Sequence, residues 1–517
     1  MQKHPLLQRL MVGWTYHQEK RYNEENHFPF AMPYSHRALL AKIARDSMVE
    51  RGLHPDFSPK VEAQVQSSHA PEARLTPGVE DLRDLLWCSI DNDDSRDLDQ
   101  LSVAVAEPDG CIRILVAIAD VDSLVPQGSA IDLWAAHNTT SVYTPGIMFP
   151  MLPMALSTDL TSLNPGVDRL SLVVDMRYNA RGLLQNTRIY RALVHNHAQL
   201  AYNAVAAWID DLAPMPEALA RVPGLADNLS LQYAMAVMLR AHRHARGSLD
   251  FETIETKPVF EGDTLVDLHV EKRSTSKDII EEFMVAANGC TARFLAEKGF
   301  PSLRRVVKVP KRWDGICEVA LQYGTRLPEV PDSKALDTFL VRERDRDPLR
   351  FPDLSLRIIK LLGAGEYVVM LPGGKVDGHF GLAIKDYAHS TAPNRRYPDL
   401  ITQRLLKAAI AGRPCPYGTE ELEEHARRCS EAEDLSKKLE RFTRKCAEAI
   451  LLENRIGEEF DGVVSGLSEA GIWARIVTPP VEGKVLPTNR HVEMGTPVHV
   501  RLESVDIERG FIDFRLL

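Results

Sequence analysis

The segment at residues 89–100, SIDNDDSRDLDQ, concentrates five aspartates around a single arginine. Apolar runs flank it at residues 85–88, 101–105 and 112–119, so the pattern predicts a buried strand, an acidic crossing and further buried strand. Carboxylates held a few ångströms apart repel one another unless one stays protonated or a cation lies among them. Hard divalent ions such as Mg²⁺ take oxygen ligands from clusters of this kind. We therefore interpret the segment as a metal site rather than as a solvated acidic loop.

A helix-loop-helix calcium site is the first alternative to consider. Asp91, Asp93 and Ser95 occupy the first, third and fifth places of that pattern. The sixth place requires a sharp turn made by glycine, and this chain has Arg96 there. The twelfth place requires a bidentate glutamate, and this chain has Ser102. These two mismatches exclude the calcium loop.

Size and composition restrict the class of protein. A chain of 517 residues with 44% apolar and 26% charged residues is long enough for several packed domains. Nothing at its start resembles a signal peptide, and no apolar run approaches the roughly 20 residues of a membrane helix, so we expect no membrane association. The seven cysteines include no Cys-x-x-Cys pair, which predicts reduced thiols in a cytoplasmic protein without a zinc ribbon.

The net charge of −10 means that any affinity for nucleic acid must come from local positive charge. Residues 293–312 carry seven basic residues against one acid, and residues 395–413 carry five against one. Either run alone is typical of a solvated face. Together, beside an acidic metal site, they predict a path for phosphate groups.

Composition and pattern divide the chain into three segments and predict an α+β multidomain protein. Residues 1–73 are predicted to be helical, with an apolar face at residues 6–11, a second helix capped by Ser35 and a third begun by Ser58-Pro59. The size is typical of a helix-turn-helix or winged module, and a plain helical support fits equally well. Residues 67–77 have the composition of a linker.

Residues 74–455 mix strands and helices without an internal repeat. The run at 278–297 predicts a capped, buried helix whose polar residues Glu281, Glu282 and Asn288 need partners. Residues 420–454 predict either one extended helix or a helical hairpin.

Residues 456–517 alternate apolar and polar residues between glycine turns. Short strands are expected at 460–464, 471–476, 482–485, 498–502 and 511–514. Five such strands are typical of an OB-type barrel, in which an exposed aromatic such as Trp473 would support binding of nucleic acid.

An ordered set of motifs resembles the mixed α/β catalytic domain of the ribonuclease II (RNB) family. After the acidic segment these motifs are VAIADV at 116–121, YTPG at 143–146, MLP at 151–153, SLDFE at 248–252, IEEFMVAAN at 280–288, HFGL at 379–382, APNRRYPD at 392–399 and RLL at 404–406. Residues 456–517 are similar to the S1-type RNA-binding barrel that closes these enzymes.

The resemblance implies a processive 3′→5′ exoribonuclease that degrades single-stranded RNA to nucleoside 5′-monophosphates. It further implies Mg²⁺, with Mn²⁺ as a substitute, no nucleotide cofactor, and a monomer. By the same resemblance Asp91, Asp97 and Asp99, with Gln100 in a fourth position, would hold the metal. Arg395 would face the scissile phosphate and complete the catalytic set.

The resemblance also implies residues that bind substrate. Tyr143 and Phe251 would stack on bases near the RNA terminus. Tyr202 and Glu281 would contact ribose and so select RNA over DNA. The remaining two are Arg396, which would support the backbone path, and Glu440, which aligns with a family acid that restrains activity.

Three departures from the family pattern bear on this interpretation. The pattern ends in two adjacent aspartates where this chain has Asp99-Gln100, and Asp93, Asp94 or Asp120 would have to compensate. The usual Ser-Pro-Ile-Arg is replaced by residues 392–395, APNR. The residues before Asp91 are too few for two cold-shock barrels. The alternatives are therefore a catalytically weakened RNA-binding adaptor and a metal-dependent DNA nuclease.

Overall fold

A computed structural model of the protein describes residues 35–69, 74–271, 273–348, 350–375, 377–469 and 471–517. The α-helices are α1 (His36–Glu50), α2 (Pro59–Ser67), α3 (Ala130–Asn138), α4 (Tyr202–Ile209), α5 (Glu217–Ala220), α6 (Leu225–Ala245), α7 (Thr275–Glu297), α8 (Trp313–Gln322), α9 (Ser333–Arg346), α10 (Phe351–Leu362), α11 (Tyr397–Ile410) and α12 (Thr419–Leu452). Shorter helical turns lie at Val121–Ser123, Leu156–Leu160, Phe380–Leu382 and Glu453–Arg455.

The strands are β1 (Val79–Asp81), β2 (Cys88–Asp91), β3 (Gln100–Ala106), β4 (Ile112–Ala119), β5 (Val142–Tyr143), β6 (Met148–Phe149), β7 (Asp168–Tyr178), β8 (Leu184–His195), β9 (Ala198–Ala201), β10 (Glu255–Glu261), β11 (Thr264–Glu271), β12 (Ser302–Val306), β13 (Glu366–Met370), β14 (Glu459–Ser468), β15 (Gly471–Ile476), β16 (Glu482–Val485), β17 (Pro497–Asp506) and β18 (Phe511–Leu516).

A seven-stranded mixed sheet organises the middle of the chain, with the order β1-β8-β7-β4-β3-β2-β9. Its central strand β4 is buried from Ile114 to Ala119, as expected for a continuous apolar run covered on both faces. Helix α6 packs on β3, and α7 packs on β4, β7 and β8. Strands β2 and β3 are antiparallel neighbours, so the acidic segment connects two strands, as the sequence predicts.

The first strand of that pair begins later than expected. Residues 85–88 were expected as strand, but β2 starts at Cys88. The Leu82 carbonyl accepts hydrogen bonds from Leu85 N and from the Trp87 indole at 2.7 Å. The apolar residues before Cys88 are therefore held in a turn, and Asp91 becomes the last residue of the strand.

Helix α7 also begins earlier than its predicted start at residue 278. Ser274 is the N-cap, and its hydroxyl accepts a hydrogen bond from Lys277 N. Serine satisfies the free amides of a first turn, which leaves Asp278 inside that turn, where a negative charge is favourable. The buried Glu282 has the partner it needs, because Arg243 on α6 donates to it.

The charged stretch that follows is one continuous helix rather than a hairpin. Helix α12 runs from Thr419 to Leu452, and its buried face includes Ala426, Leu439 and Ala447. Its last turns contact the C-terminal strands. A single helix thus connects the segment at residues 74–455 to the barrel.

The C-terminal strands close into a barrel with the order β14-β15-β16-β18-β17. Two strands have the predicted bounds and the other three extend beyond them. Phe460 and Phe514 are buried in its interior, consistent with inward positions on alternating strands. The five-stranded OB-type barrel is therefore confirmed.

At the N-terminal side, the predicted apolar face at residues 6–11 lies outside the described residues. Helix α1 follows Ser35, and α2 is capped by the Ser58 hydroxyl, which accepts from Val61 N at 3.4 Å. The helix-turn-helix interpretation stays a prediction. None of the described helices has the length and apolar character required to cross a membrane.

Candidate active site

The acidic loop between β2 and β3 is fixed by hydrogen bonds at both ends. The Ser95 hydroxyl donates to Asp91 Oδ1 at 2.8 Å, and the Gln199 amide donates to the Ser95 carbonyl at 2.9 Å. Leu98 is buried, and its amide donates to Ser162 Oγ at 3.0 Å. The loop is therefore a defined structure and not a free solvated crossing.

Asp99 is the most enclosed aspartate of the loop, with 2% of its surface exposed. Its Oδ1 accepts a hydrogen bond from the backbone amide of Asn394 at 2.9 Å. Its Oδ2 has no donor among the described residues and lies 3.6 Å from Arg395 Nε. Burial raises the pKa of Asp99 to about 8, although the charge of Arg395 opposes the shift. A bound cation would relieve this unfavourable burial.

Arg395 is presented by the turn that precedes α11. Its carbonyl accepts hydrogen bonds from Ser141 N at 3.0 Å and from the Thr140 hydroxyl at 3.2 Å. Its side chain is 44% exposed, and within the described ranges its one ion-pair partner is Asp99. A half-exposed guanidinium without hydrogen bonds is available to an anionic ligand.

Asp97 lies within electrostatic reach of Asp99, and Asp91 lies within reach of Asp97. Burial raises the pKa of Asp97, the charges of Asp91 and Asp94 raise it further, and Arg395 opposes them. Clustered carboxylates that perturb one another in this way fit a divalent cation.

The carboxylates are nevertheless more widely spaced than a compact metal cage. Among the described residues, we find one set of three possible ligand atoms from acids, histidines or cysteines that all lie within 4.8 Å of one another. They belong to Glu107, Asp109 and Cys111. Arg177 binds both acids of that set. The oxygens of the predicted site are therefore not all within 4.8 Å of one another. Mg²⁺ tolerates this arrangement because it retains several water ligands.

Gln100 begins β3, where its Cα partner is Ile118. Alternation along the strand places it on the same face as Ser102, whose hydroxyl donates to Gln232 of α6. Its side chain has no hydrogen bond within the ranges described. The role of Gln100 as a metal ligand stays a prediction.

The residues considered as substitutes for a missing carboxylate differ in availability. Asp120 is buried and pairs with Lys407 at 2.8 Å and with Arg191 at 3.3 Å. Its charge is therefore already neutralised, so the expectation that it compensates for Gln100 is wrong. Asp93 is exposed and accepts a hydrogen bond from Asn203 at 3.3 Å.

Two of the predicted aromatic residues face the acidic loop. Tyr143 on β5 is 46% exposed, yet desolvation of its hydroxyl raises its pKa, with the charges of Asp97, Asp99 and Asp91 adding to the shift. Tyr202 begins α4, and desolvation followed by the charge of Asp91 raises its pKa as well. Glu440 of α12 accepts a hydrogen bond from Tyr143 N at 3.0 Å. The charges of the acids thus reach the hydroxyls of Tyr143 and Tyr202, and Glu440 is held beside Tyr143 by its hydrogen bond.

Three other predicted residues have different surroundings. Phe251 packs against the apolar cluster formed by α8, α9 and α10. Glu281 accepts from Arg243 at 2.6 Å and lies 3.6 Å from Arg273. Arg396 is bound by Asp399 at 2.7 Å. No ion pair or hydrogen bond links these three to the acidic loop in the described ranges, and their substrate roles stay predictions.

Several basic residues of the two segments are ion-paired within the protein, which removes them from the predicted phosphate path, and the path itself stays a prediction. Arg304, Arg305 and Lys308 pair with Asp386, Glu433 and Glu366. In the second segment Arg396, Arg404 and Lys407 pair with Asp399, Asp132, Asp120 and Asp122. All of these acids except Asp399 come from distant parts of the sequence, so a local count of charge does not reveal them. Arg395 retains an accessible guanidinium.

Some contributors to the site carry no signal in the sequence. The Asn394 amide holds Asp99 through its backbone, while its side-chain oxygen accepts from Thr161 at 2.6 Å. Thr140 and Ser141 hold the Arg395 carbonyl across more than 250 positions. Backbone contacts over such separations follow from the fold and not from a local motif.

Comparison with known proteins places the chain in a family. A family model described as the RNB domain matches residues 79–412, and one described as the RNase II-type exonuclease C-terminal S1 domain matches residues 458–517. Ribonuclease R of Vibrio parahaemolyticus is 32% identical, over 85% of this chain and 56% of that protein. This chain thus spans little more than half the length of that relative.

Solved structures share the fold. Mycoplasma genitalium RNase R in complex with ribose-methylated single-stranded RNA has a TM-score of 0.83 at 24% identity, over 92% of this chain and 78% of that one. Yeast Ssd1, a pseudonuclease, has a TM-score of 0.67 at 18% identity, over 86% and 55%. Identities this low show the fold alone. The matches of the two family models and the identity to ribonuclease R show that this chain belongs to the ribonuclease II (RNB) family.

Proposed function

We propose that the protein is a metal-dependent 3′→5′ exoribonuclease that degrades single-stranded RNA to nucleoside 5′-monophosphates. The observation that carries the proposal is the pairing of Asp99 with Arg395. A buried carboxylate with an oxygen that receives no hydrogen bond lies 3.6 Å from a half-exposed guanidinium. An oxygen-rich cation site beside a positive charge can stabilise the charge that develops during metal-assisted hydrolysis of a phosphodiester.

The residues present fit a divalent ion at this position. Asp91, Asp97 and Asp99 would hold it, with Gln100 as a further oxygen ligand. When bound, such an ion supplies activated water and neutralises charge on the departing 3′ oxygen. Arg395 contributes two parallel donors to the phosphoryl oxygens, where negative charge develops in the transition state.

The surrounding residues support a single strand of RNA as the substrate. Tyr143 and Tyr202 lie near the acids, and an aromatic face can stack on any base. A tyrosine hydroxyl beside the reacting phosphate can also contact a ribose 2′-OH, a group that DNA lacks. The S1-type barrel supplies a further surface for single strands.

Two labelled RNAs test the proposal. With Mg²⁺, RNA labelled at its 3′ end should release a labelled mononucleotide at once, whereas RNA labelled at its 5′ end should shorten progressively. Chelator should stop both reactions, and Asp99→Asn should bind RNA without cutting it. Endonucleolytic fragments, cleavage that survives chelation, or equal degradation of a matching DNA would refute the proposal.

A second candidate is an RNA-binding adaptor with weak or absent catalysis. Gln100 in place of an expected aspartate favours it, and the fold is shared with Ssd1, which is a pseudonuclease. The variant Gln100→Asp separates the two candidates. If the native protein is inert and this substitution alone confers hydrolysis, the adaptor is the correct function.

A further inference from the structure

Helix α1 lies directly against the loop that follows Tyr143. A methyl group placed on Gly146 of that loop would lie 2.7 Å from Ala41 N and 2.9 Å from Arg37 O. Both are backbone atoms of α1, which cannot move aside as the end of a flexible side chain can. The loop and the helix are therefore in backbone contact, and glycine is needed for it.

The apolar face of α1 holds the two short strands that frame the loop. Ala44 and Met48 are fully buried and share one apolar cluster with Val142 of β5 and Phe149 of β6. Two residues of α12, Ala432 and Leu439, belong to the same cluster. Both helices therefore contribute to the packing of the two strands.

Polar contacts reinforce the same arrangement. The Arg45 guanidinium of α1 lies 5.8 Å from the centre of the Phe149 ring, within the range of a cation–π contact. On the α12 side, Glu440 accepts from the amide of Tyr143. Tyr143 is thus attached to a hairpin whose position depends on both helices.

We propose that α1 is a positioning element of the active site, which holds the Tyr143 loop so that Tyr143 contacts bound RNA. This inference rests on the proposed function, because it requires Tyr143 to bind the substrate. Helix α1 precedes the residues matched by the RNB family model, which start at residue 79. The site is then completed by a segment outside the catalytic domain proper.

Binding of a short fluorescent RNA in chelator tests the inference without hydrolysis. Tyr143→Ala should weaken binding about fivefold or more, the loss of one stacked base. Gly146→Ala should weaken it in the same direction, since its methyl group displaces the loop from α1. The control is Gly418→Ala, because a Cβ added to that glycine meets no atom within 4 Å and its φ of −73° suits any residue. It should bind as the wild type does.

A double-mutant cycle separates positioning from general damage. If Gly146 acts through Tyr143, adding Gly146→Ala to Tyr143→Ala should change the dissociation constant less than about twofold. Equal losses in both backgrounds, or wild-type binding by Gly146→Ala, would overturn the inference. Because the readout is binding, a protein that fails to cut RNA contradicts the proposed function and leaves this test intact.

If Gly146→Ala sharply lowers the melting temperature, a less disruptive pair of variants tests whether α1 positions Tyr143. Arg45→Ala removes the contact with Phe149 and an ion pair with Asp56, whereas Lys42→Ala, on the same helix, removes an ion pair with Asp46 on the surface. Arg45→Ala should weaken RNA binding relative to Lys42→Ala, with a smaller loss in the Tyr143→Ala background. Identical binding by the two variants would overturn the inference.

Discussion

Burial of the Asp99 carboxyl group makes the free energy of unfolding depend on pH. Its folded pKa of about 8 exceeds the value of about 3.9 for an unfolded chain. Between these values the folded protein binds more protons than the unfolded one, so the free energy of unfolding falls as pH rises from about 4 to about 8. Above the folded pKa this contribution is constant.

The variant Asp99→Asn isolates the pH-dependent contribution of this carboxyl group to stability. In chelator, the melting temperature of the wild type should fall relative to that of Asp99→Asn as pH rises through this window. Asp94→Asn is the control, because Asp94 is exposed on the same loop, and it should follow the wild type. If the difference in melting temperature between the wild type and Asp99→Asn stays constant from about pH 4 to about pH 8, burial does not raise the pKa of Asp99.

Arg395 is predicted to act on the reaction more than on binding. Removing one donor that stabilises developing charge costs about 100- to 1,000-fold in rate. Arg395→Ala should therefore lose about 100-fold in the rate of nucleotide release at saturating RNA. Arg395→Lys should recover only part of it, because an ammonium group lacks the planar pair of donors.

The control for Arg395 is Arg413→Ala, a change at an exposed arginine in the same basic segment. It should keep the wild-type rate. A rate for Arg395→Ala within a few-fold of the wild type would mean that the guanidinium does not reach the scissile phosphate.

At the residue scale, motif resemblance singled out Asp99 and Arg395, which the structure places beside each other. Nothing in the motif reveals that Lys407 and Arg191 neutralise the carboxylate of Asp120, one of the three substitutes considered for a missing metal ligand. Contacts of this kind depend on partners from other strands and helices.

At the element scale, a buried ion pair fastens α6 to α7. Arg243 donates to Glu282, which is 3% exposed, and also to Glu281. Removing one partner of a buried pair leaves an uncompensated charge, at a cost of about 3–5 kcal/mol. Arg243→Leu should therefore lower the free energy of unfolding by about 3 kcal/mol in urea titrations.

Two further variants give this prediction its controls. Arg246→Leu changes an exposed arginine just beyond the end of α6 and should be nearly neutral. Arg243→Leu combined with Glu282→Leu should regain much of the lost stability, because an apolar pair of similar volume carries no buried charge. If the double variant is as unstable as the single one, the ion pair is not the cause.

Elements with a strong local pattern were the ones predicted well. The strands of the barrel follow alternation between glycine turns, and the long charged run of α12 has the helical period. The errors lie at ends, at the start of β2 and of α7, where a turn or a serine cap decides the boundary. Whether residues 420–454 form one helix or two was left open, because both have the same local pattern.

At the scale of the molecule, residues His36–Leu517 form one compact unit. The β10–β11 hairpin contributes Leu268 to the apolar cluster of the barrel, together with Ala449 and Leu452 of α12. The barrel is thereby packed onto the catalytic segment rather than tethered to it by a linker. Its stability should depend on residues outside it.

Hydrogen exchange measures this dependence. Leu268→Ala removes a side chain that is 4% exposed, at a cost of about 2–5 kcal/mol, and should accelerate exchange in strands β14 to β18. Val266→Ala, at an exposed position on the same strand, should leave exchange unchanged. Unaltered protection of the barrel in Leu268→Ala would show that the barrel is stable by itself.

The most direct test of the central claim is a crystal structure with a short nonhydrolysable RNA and Mn²⁺, whose anomalous scattering locates the ion. We predict an ion about 2.1 Å from oxygens of the Asp91, Asp97 and Asp99 set, with Arg395 donating to the last phosphodiester of the strand. An ion bound elsewhere, or an RNA terminus beyond the reach of Arg395, would contradict the proposed active site.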